Sequence, residues 1–220
     1  MRSVFLGLSV GIRLGGKVLL RVMVMVANRV LLLSPEEYLE WEERSEVRHE
    51  FIDGEVFAMA GASDDHSVMI FNLSSILRPC LQGTGCRQLA DVKARPKGLS
   101  RYYYPDLMVT GDERDRADKY VKRHYKLIVE VLSDSTEAFD RGRKFEDYRR
   151  SESLEEYVLI AQDRMSVDVF RLNAAGRWEL EGYSAGDVVE LVSVGARFAI
   201  EELYLDVEIV SDESFSETQE

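Results

Sequence analysis

A charged residue in the middle of an otherwise aliphatic strand limits the folds open to a chain. Leu127-Ile128-Val129-Glu130-Val131-Leu132 is such a run, and Asp106 opens a second one, Leu107-Met108-Val109. Both runs are rich in branched aliphatics and bounded by turn-forming residues, the pattern of buried strands. A carboxylate inside such a run is costly unless another group compensates its charge. Two of them on neighbouring strands, with Lys144 fourteen residues after Glu130, make the set of groups that a divalent-metal site for phosphodiester hydrolysis needs.

Such a site needs a folded core around it. At 220 residues, 45% of them apolar and 10% aromatic, the chain suffices for one domain with a sizeable core. The net charge of −12 argues against an indiscriminate nucleic-acid binder. That charge is unevenly spread: 31–86 carries −8, 87–150 carries +4 and 151–220 carries −13. The one positive stretch beyond the N-terminal arm therefore holds Asp106, Glu130 and Lys144, which permits a polyanionic substrate. Cys80 and Cys86 lack a second pair and a nearby His at ligand spacing, so two reduced thiols are expected rather than a zinc site.

Residues 1–30 hold five basic and no acidic residues. Val4 to Ile12 is apolar, but Arg13, Lys17, Arg21 and Arg29 recur too often for a membrane span, and no small-residue cleavage site follows. An N-terminal extension is expected here, either mis-started, with Met23 or Met25 as alternative starts, or loosely attached. The domain is then expected over 31–208, followed by an acidic, Ser-rich, flexible tail over 209–220.

Ser34-Pro35-Glu36-Glu37 reads as a helix start, with a Ser cap, Pro at the first helical position and acids in the first turn. Asp53-Gly54 between Glu50-Phe51-Ile52 and Glu55-Val56-Phe57 predicts a hairpin. Ser63-Asp64-Asp65 opens a second helix whose Val68, Ile70, Phe71, Leu73, Ile76 and Leu77 recur at helical spacing up to Pro79. Cys86 to Pro96 reads as a strand, and 111–125 as a polar connecting loop after the Asp106 strand. A helix from Ser133 to about Arg150 follows the Glu130 strand. Strands are then expected over 156–161, 165–172, 177–183 and 188–192. That order suggests one α/β layer domain with a mixed sheet.

The chemistry follows from the residue types. A hard cation such as Mg²⁺ supplies an activated water and charge neutralisation, and it prefers a few carboxylates plus waters. Asp106 and Glu130 on paired strands would bring their oxygens together, and Lys144 would add a positive charge beside the metal or the phosphate. The bland alternatives are an Asp106 that caps the turn after Pro105, a Glu130 paired with an Arg, and a Lys144 on a solvated basic helix face. His66 in the first turn of its helix reads as structural, His49 and His124 as surface residues, and Tyr102-Tyr103-Tyr104 as cross-strand packing rather than a base-stacking platform.

Tyr104-Pro105-Asp106, Ile128-Val129-Glu130-Val131-Leu132-Ser133, Phe139-Asp140-Arg141-Gly142-Arg143-Lys144 and Tyr148-Arg149 resemble the motifs of the Uma-two family of restriction-endonuclease-like proteins, within the PD-(D/E)XK nuclease superfamily. His49-Glu50-Phe51-Ile52-Asp53-Gly54-Glu55 and Ser63…His66 resemble its opening, and the likeness covers about 34–207. The resemblance implies a mixed sheet flanked by helices and a metal-dependent core, with Asp106 and Glu130 on the two acid positions. It departs from the superfamily at Leu132, where a Lys is expected; Lys144 is the matching Lys on the following helix. Glu50 matches a further acid that reaches the metal directly or through water. The reading is a cytoplasmic Mg²⁺- or Mn²⁺-dependent DNA endonuclease with catalytic Asp106, Glu130 and Lys144, with Asp106, Glu130 and Glu50 as metal ligands, and homodimeric by analogy. The alternatives are a degenerate binding module of the same fold and a metal-dependent hydrolase of another phosphoester.

Overall fold

The computed structural model of this chain describes residues 7–14, 17–25 and 32–209. The first elements are two antiparallel strands paired with each other, β1 (Gly7–Leu14) and β2 (Lys17–Met25). Of the flexible tail expected over 209–220, residues 210–220 lie outside the described residues, as do the side chains of residues 1–31.

Helix α1 (Pro35–Glu42) starts where its residue types dictate. The Ser34 hydroxyl accepts the Glu37 N–H at 3.2 Å, while the Glu37 carboxylate accepts the Ser34 N–H at 2.8 Å, closing a capping box. Strands β3 (His49–Ile52) and β4 (Glu55–Ala58) form the expected hairpin. Asp53 and Gly54 sit at φ 52° and 105°, the positive values that a two-residue turn between twisted strands requires.

Helix α2 (Asp64–Leu81) is capped by Ser63 and buries Met69, Leu73, Leu77 and Leu81, one position every four residues. Phe71 departs from the expected apolar face. It lies two residues, about 200°, around the helix from Met69 and is 71% exposed. The helix also continues past Pro79. One missing donor near the helix end is tolerated while Leu81 remains buried.

The stretch expected as one strand from Cys86 to Pro96 is broken. Asp91 takes a left-handed backbone (φ 57°), which separates β5 (Arg87–Leu89) from β6 (Lys93–Ala94) and sends them to different sheets. After β7 (Arg101–Tyr102) and β8 (Leu107–Thr110), the expected loop contains a 3-10 turn at Glu113–Asp115 and the short β9 (Val121–Lys122). Strand β10 (Tyr125–Val131) leads into a helical segment made of α3 (Glu137–Phe139), a π turn (Asp140–Lys144) and α4 (Phe145–Tyr148). The chain then runs through β11 (Glu156–Ile160), β12 (Ser166–Leu172), β13 (Trp178–Ser184), β14 (Val188–Leu191), β15 (Ala196–Ala199) and α5 (Ile200–Leu203).

The main sheet has the order β13-β12-β11-β10-β8-β5, and its β10–β11 pair is parallel while its other pairs are antiparallel. A parallel pair needs a long crossover, and the α3–α4 segment provides it. A smaller sheet, β4-β3-β7, carries Glu50. Alternation along β8 and β10 sorts side chains to two cores. Leu107, Val109, Leu127, Val129 and Val131 pack with the buried stripe of α2. Met108 and Ile128 turn to the opposite face, into a core with Tyr103, Phe145, Tyr148 and Tyr157. Each such buried aliphatic side chain contributes roughly 1.5–3 kcal/mol by leaving water. Glu130 has the parity of Ile128 and belongs to the face beneath the crossover helices, while Asp106 stands one residue before β8 at the same end of the sheet.

Candidate active site

The antiparallel register pairs Leu107 with Val129 and Met108 with Ile128. One step further, Asp106 stands across from Glu130. Asp106 does not cap the turn after Pro105. Its Oδ2 accepts the Val131 N–H at 2.7 Å, and its Oδ1 lies 3.0 Å from His66 Nε2 at the start of α2. His66, read from the sequence as structural, therefore reaches the candidate site itself.

Lys144 is 6% exposed, which excludes the solvated-face reading. Its Nζ lies 3.0 Å from Glu130 Oε1, 3.2 Å from Glu50 Oε1 and 3.3 Å from Asp140 Oδ1. The neighbouring cations are engaged elsewhere: Arg141 with Glu137 and Asp168, and Arg143 with Asp53. Glu130 is thus paired with a Lys and not an Arg, and it also accepts the Tyr148 hydroxyl at 3.2 Å. The helical segment is held in place by Asp147, which takes Arg101 at 2.5 Å and the Tyr103 hydroxyl at 2.6 Å. Phe145 stacks on Tyr157 with ring centroids 5.2 Å apart.

Glu50 enters from β3, and its Oε1 also accepts the Tyr104 N–H at 3.2 Å. Behind it, His49 is not the surface residue expected. Glu42 accepts the His49 N–H at 2.9 Å and the Tyr104 hydroxyl at 3.0 Å, and lies 3.1 Å from His49 Nδ1. The Tyr38 hydroxyl donates to the His49 carbonyl at 2.6 Å. Helix α1 thereby locks the strand carrying Glu50. Tyr102, Tyr103 and Tyr104 are buried in packing, as expected, and offer no face for a base.

Three carboxylates, of Glu50, Glu130 and Asp140, thus surround one ammonium, and Asp106 adds to the negative charge around Glu130. Burial pushes the Glu130 carboxyl well above its usual range; Lys144 opposes this, and Asp140, Asp106 and Glu50 add to it. Burial works against the Lys144 charge, but Glu130, Glu50 and Asp140 outweigh it and keep the ammonium protonated. The excess of negative charge and the hard oxygen donors suit Mg²⁺ or Mn²⁺. Among the described residues, no three His, Cys, Asp or Glu side chains are already arranged to hold a metal ion. The Lys144 ammonium bridges Glu130 and Glu50 instead.

An open cavity of about 400 Å³ lies at the C-terminal ends of β10 and β11, lined by Leu132, Ser133, Ser135, Gln162 and Arg164 among others. Among the described residues the Ser133 hydroxyl meets the Ser135 and Thr136 hydroxyls, at 3.1 Å each, and no base that would activate it. Cys80 and Cys86 are free thiols, both partly buried. Asp140 was not picked out as a site residue from the sequence. Its spacing of four from Lys144, in a helix, was the available signal.

Known proteins resemble this chain in sequence or in fold. A family model described as "Putative restriction endonuclease", Uma2, matches residues 35–207. The chain is 41% identical over 173 residues to the protein slr1290 of Synechocystis sp. PCC 6803, covering 78% of this chain and 91% of that one. It is 35% identical over 171 residues to sll1609 of the same organism, covering 74% and 95%. A crystal structure described as "a putative nuclease belonging to DUF820", from Anabaena variabilis, shares the fold with a TM-score of 0.66 at 16% identity, over 79% of this chain and 98% of that one. By its family match and its relatives, this chain belongs to the Uma2 family of restriction-endonuclease-like proteins.

Proposed function

We propose that this chain is a Mg²⁺- or Mn²⁺-dependent endonuclease that hydrolyses DNA phosphodiesters. The observation that carries the reading is that Asp106, one residue before β8, accepts the Val131 N–H of β10 beside Glu130, whose carboxylate is ion-paired with the Lys144 ammonium. Asp106 and Glu130 would hold the cation, with Glu50 as a further oxygen donor. The cation supplies a Lewis acid and an acidified water. Lys144 would contribute a positive charge where charge develops on the phosphate. Val131 N–H and His66 hold Asp106 in one orientation, and Tyr148 does the same for Glu130. Among the described residues no helix is long and apolar enough to cross a membrane, and a cytoplasmic location belongs to the same reading. The homodimer expected by analogy enters no step of it.

The test is cleavage of supercoiled plasmid by the purified chain with Mg²⁺ or Mn²⁺, beside Asp106→Ala. Nicking or linearisation by the wild type that vanishes in the variant is the expected result. Equal cleavage by both proteins, or none by either, sinks the proposal, and the second outcome favours a binding module. RNA and nucleotides run in parallel show whether another phosphoester is the substrate.

A further inference from the structure

Asp140 is the one acid of the cluster that the chemistry above leaves without a task. It is 3% exposed, and its backbone carbonyl accepts the Tyr157 hydroxyl at 2.9 Å, so its place is fixed. Its Oδ1 is buried and accepts no hydrogen bond among the described residues, while Lys144 Nζ stands 3.3 Å away. A buried carboxylate oxygen without a donor is costly, and where one persists it calls for an explanation. The explanation lies in its neighbour. Lys144 is ion-paired with all three acids, and two of them, Glu130 at 3.0 Å and Glu50 at 3.2 Å, are those a divalent cation would use. Two positive charges on the same oxygens repel strongly in a buried setting.

Asp140 and Lys144 begin and end a single π turn, a feature frequent at functional sites. The Lys side chain is a flexible four-carbon stem with a compact charge at its end. Because the ammonium already stands 3.3 Å from Asp140, giving up Glu130 and Glu50 leaves it with a partner at hand. We propose that Lys144 and a divalent cation compete for Glu130 and Glu50, and that Asp140 is the positioning residue that receives the displaced ammonium. The inference rests on the metal-dependent reading for the identity of the competing ion, and it makes its own demand on binding. Removing the lysine charge strengthens metal binding, and removing its alternative partner weakens it.

Isothermal titration of the full chain with Mn²⁺ alone tests this without reference to cleavage. Lys144→Gln is expected to bind Mn²⁺ about tenfold more tightly than wild type, and Asp140→Asn about tenfold more weakly. In the double variant, Asp140→Asn is expected to have no further effect, because its influence passes through Lys144. Thermal melting of each variant in chelator checks the fold. Lys144→Met, which keeps the apolar stem, replaces Lys144→Gln if that variant is unfolded, and Asp140→Ser replaces Asp140→Asn in the same way. Asp140→Glu is expected to restore near-wild-type affinity. Equal or weaker binding by the Lys144 variant overturns the competition. Weakening by the Asp140 variant that persists without Lys144 makes Asp140 a ligand and also overturns it. Mn²⁺ binding by wild type with either of these results leaves the nuclease reading standing. Absence of binding in every protein removes both.

Discussion

Glu130 and Glu156 lie on adjacent parallel strands at similar depth, yet they are satisfied in opposite ways. Glu156 is fully buried and accepts four donors: Arg171 Nε at 2.8 Å, Val192 N–H at 3.0 Å, Ser193 N–H at 2.9 Å and the Ser193 hydroxyl at 2.5 Å. It ties the turn after β14 to the sheet. Glu130 has Tyr148 and the Lys144 ammonium, which it shares with Glu50 and Asp140. The parallel register places Glu156 beside Leu127 and Glu130 beside Leu159, so the two acids face opposite cores. A carboxylate surrounded by dedicated donors is a fastener. A carboxylate crowded by other acids around one shared cation is poised for a ligand, and perturbed acids of that kind cluster at functional sites.

The sharpest way to break this comparison is to neutralise each acid in turn and measure urea denaturation. Glu156→Gln leaves Arg171 without its buried anion and is expected to cost about 3 kcal/mol. Glu130→Gln relieves crowding among four acids and is expected to cost nothing or to stabilise. Equal losses in both variants would erase the distinction drawn here.

The second effect concerns pH. Because the folded chain holds the Glu130 proton more tightly than the unfolded chain does, its contribution is fully present below the ordinary value of 4.5 and is lost as pH rises. Each unit of such a shift corresponds to about 1.4 kcal/mol. Wild type is therefore expected to lose stability relative to Glu130→Gln as pH rises above 4.5 in chelator. A constant difference across that range would show that Glu130 is ionised throughout.

The smallest effect compares single donors. Ser193→Ala removes one of the four donors to Glu156 and is expected to cost about 1 kcal/mol. Tyr148→Phe removes a donor from a carboxyl that burial already holds toward its neutral form, and is expected to cost less. Thermal melting of the two variants side by side decides the order.

Much of the fold was legible in the sequence because its signals are local. Ser34-Pro35 starts α1, Asp53-Gly54 turns a hairpin, and the aliphatic runs around Asp106 and Glu130 are strands. The break at Asp91 was missed because a left-handed Asp leaves no pattern in hydropathy. His49 read as a surface residue because Glu42 and Tyr38, which bury and bond it, belong to a helix that hydropathy alone does not dock. In the site, Asp106 and Glu130 stood out by being charged within apolar runs. Lys144 stood out only beside those two acids, since Arg141, Arg143, Arg149 and Arg150 surround it in sequence, and Asp140 was hidden among ordinary helical acids.

By itself, then, the sequence determined that the aliphatic runs after Asp106 and around Glu130 become strands and that each run carries or adjoins one acid. Only the tertiary structure decided which buried acid receives four donors and which must share one ammonium. Strand period is a property of the local backbone, whereas the satisfaction of a charge depends on groups that arrive from β3, α2 and the crossover helices, and these meet only in space.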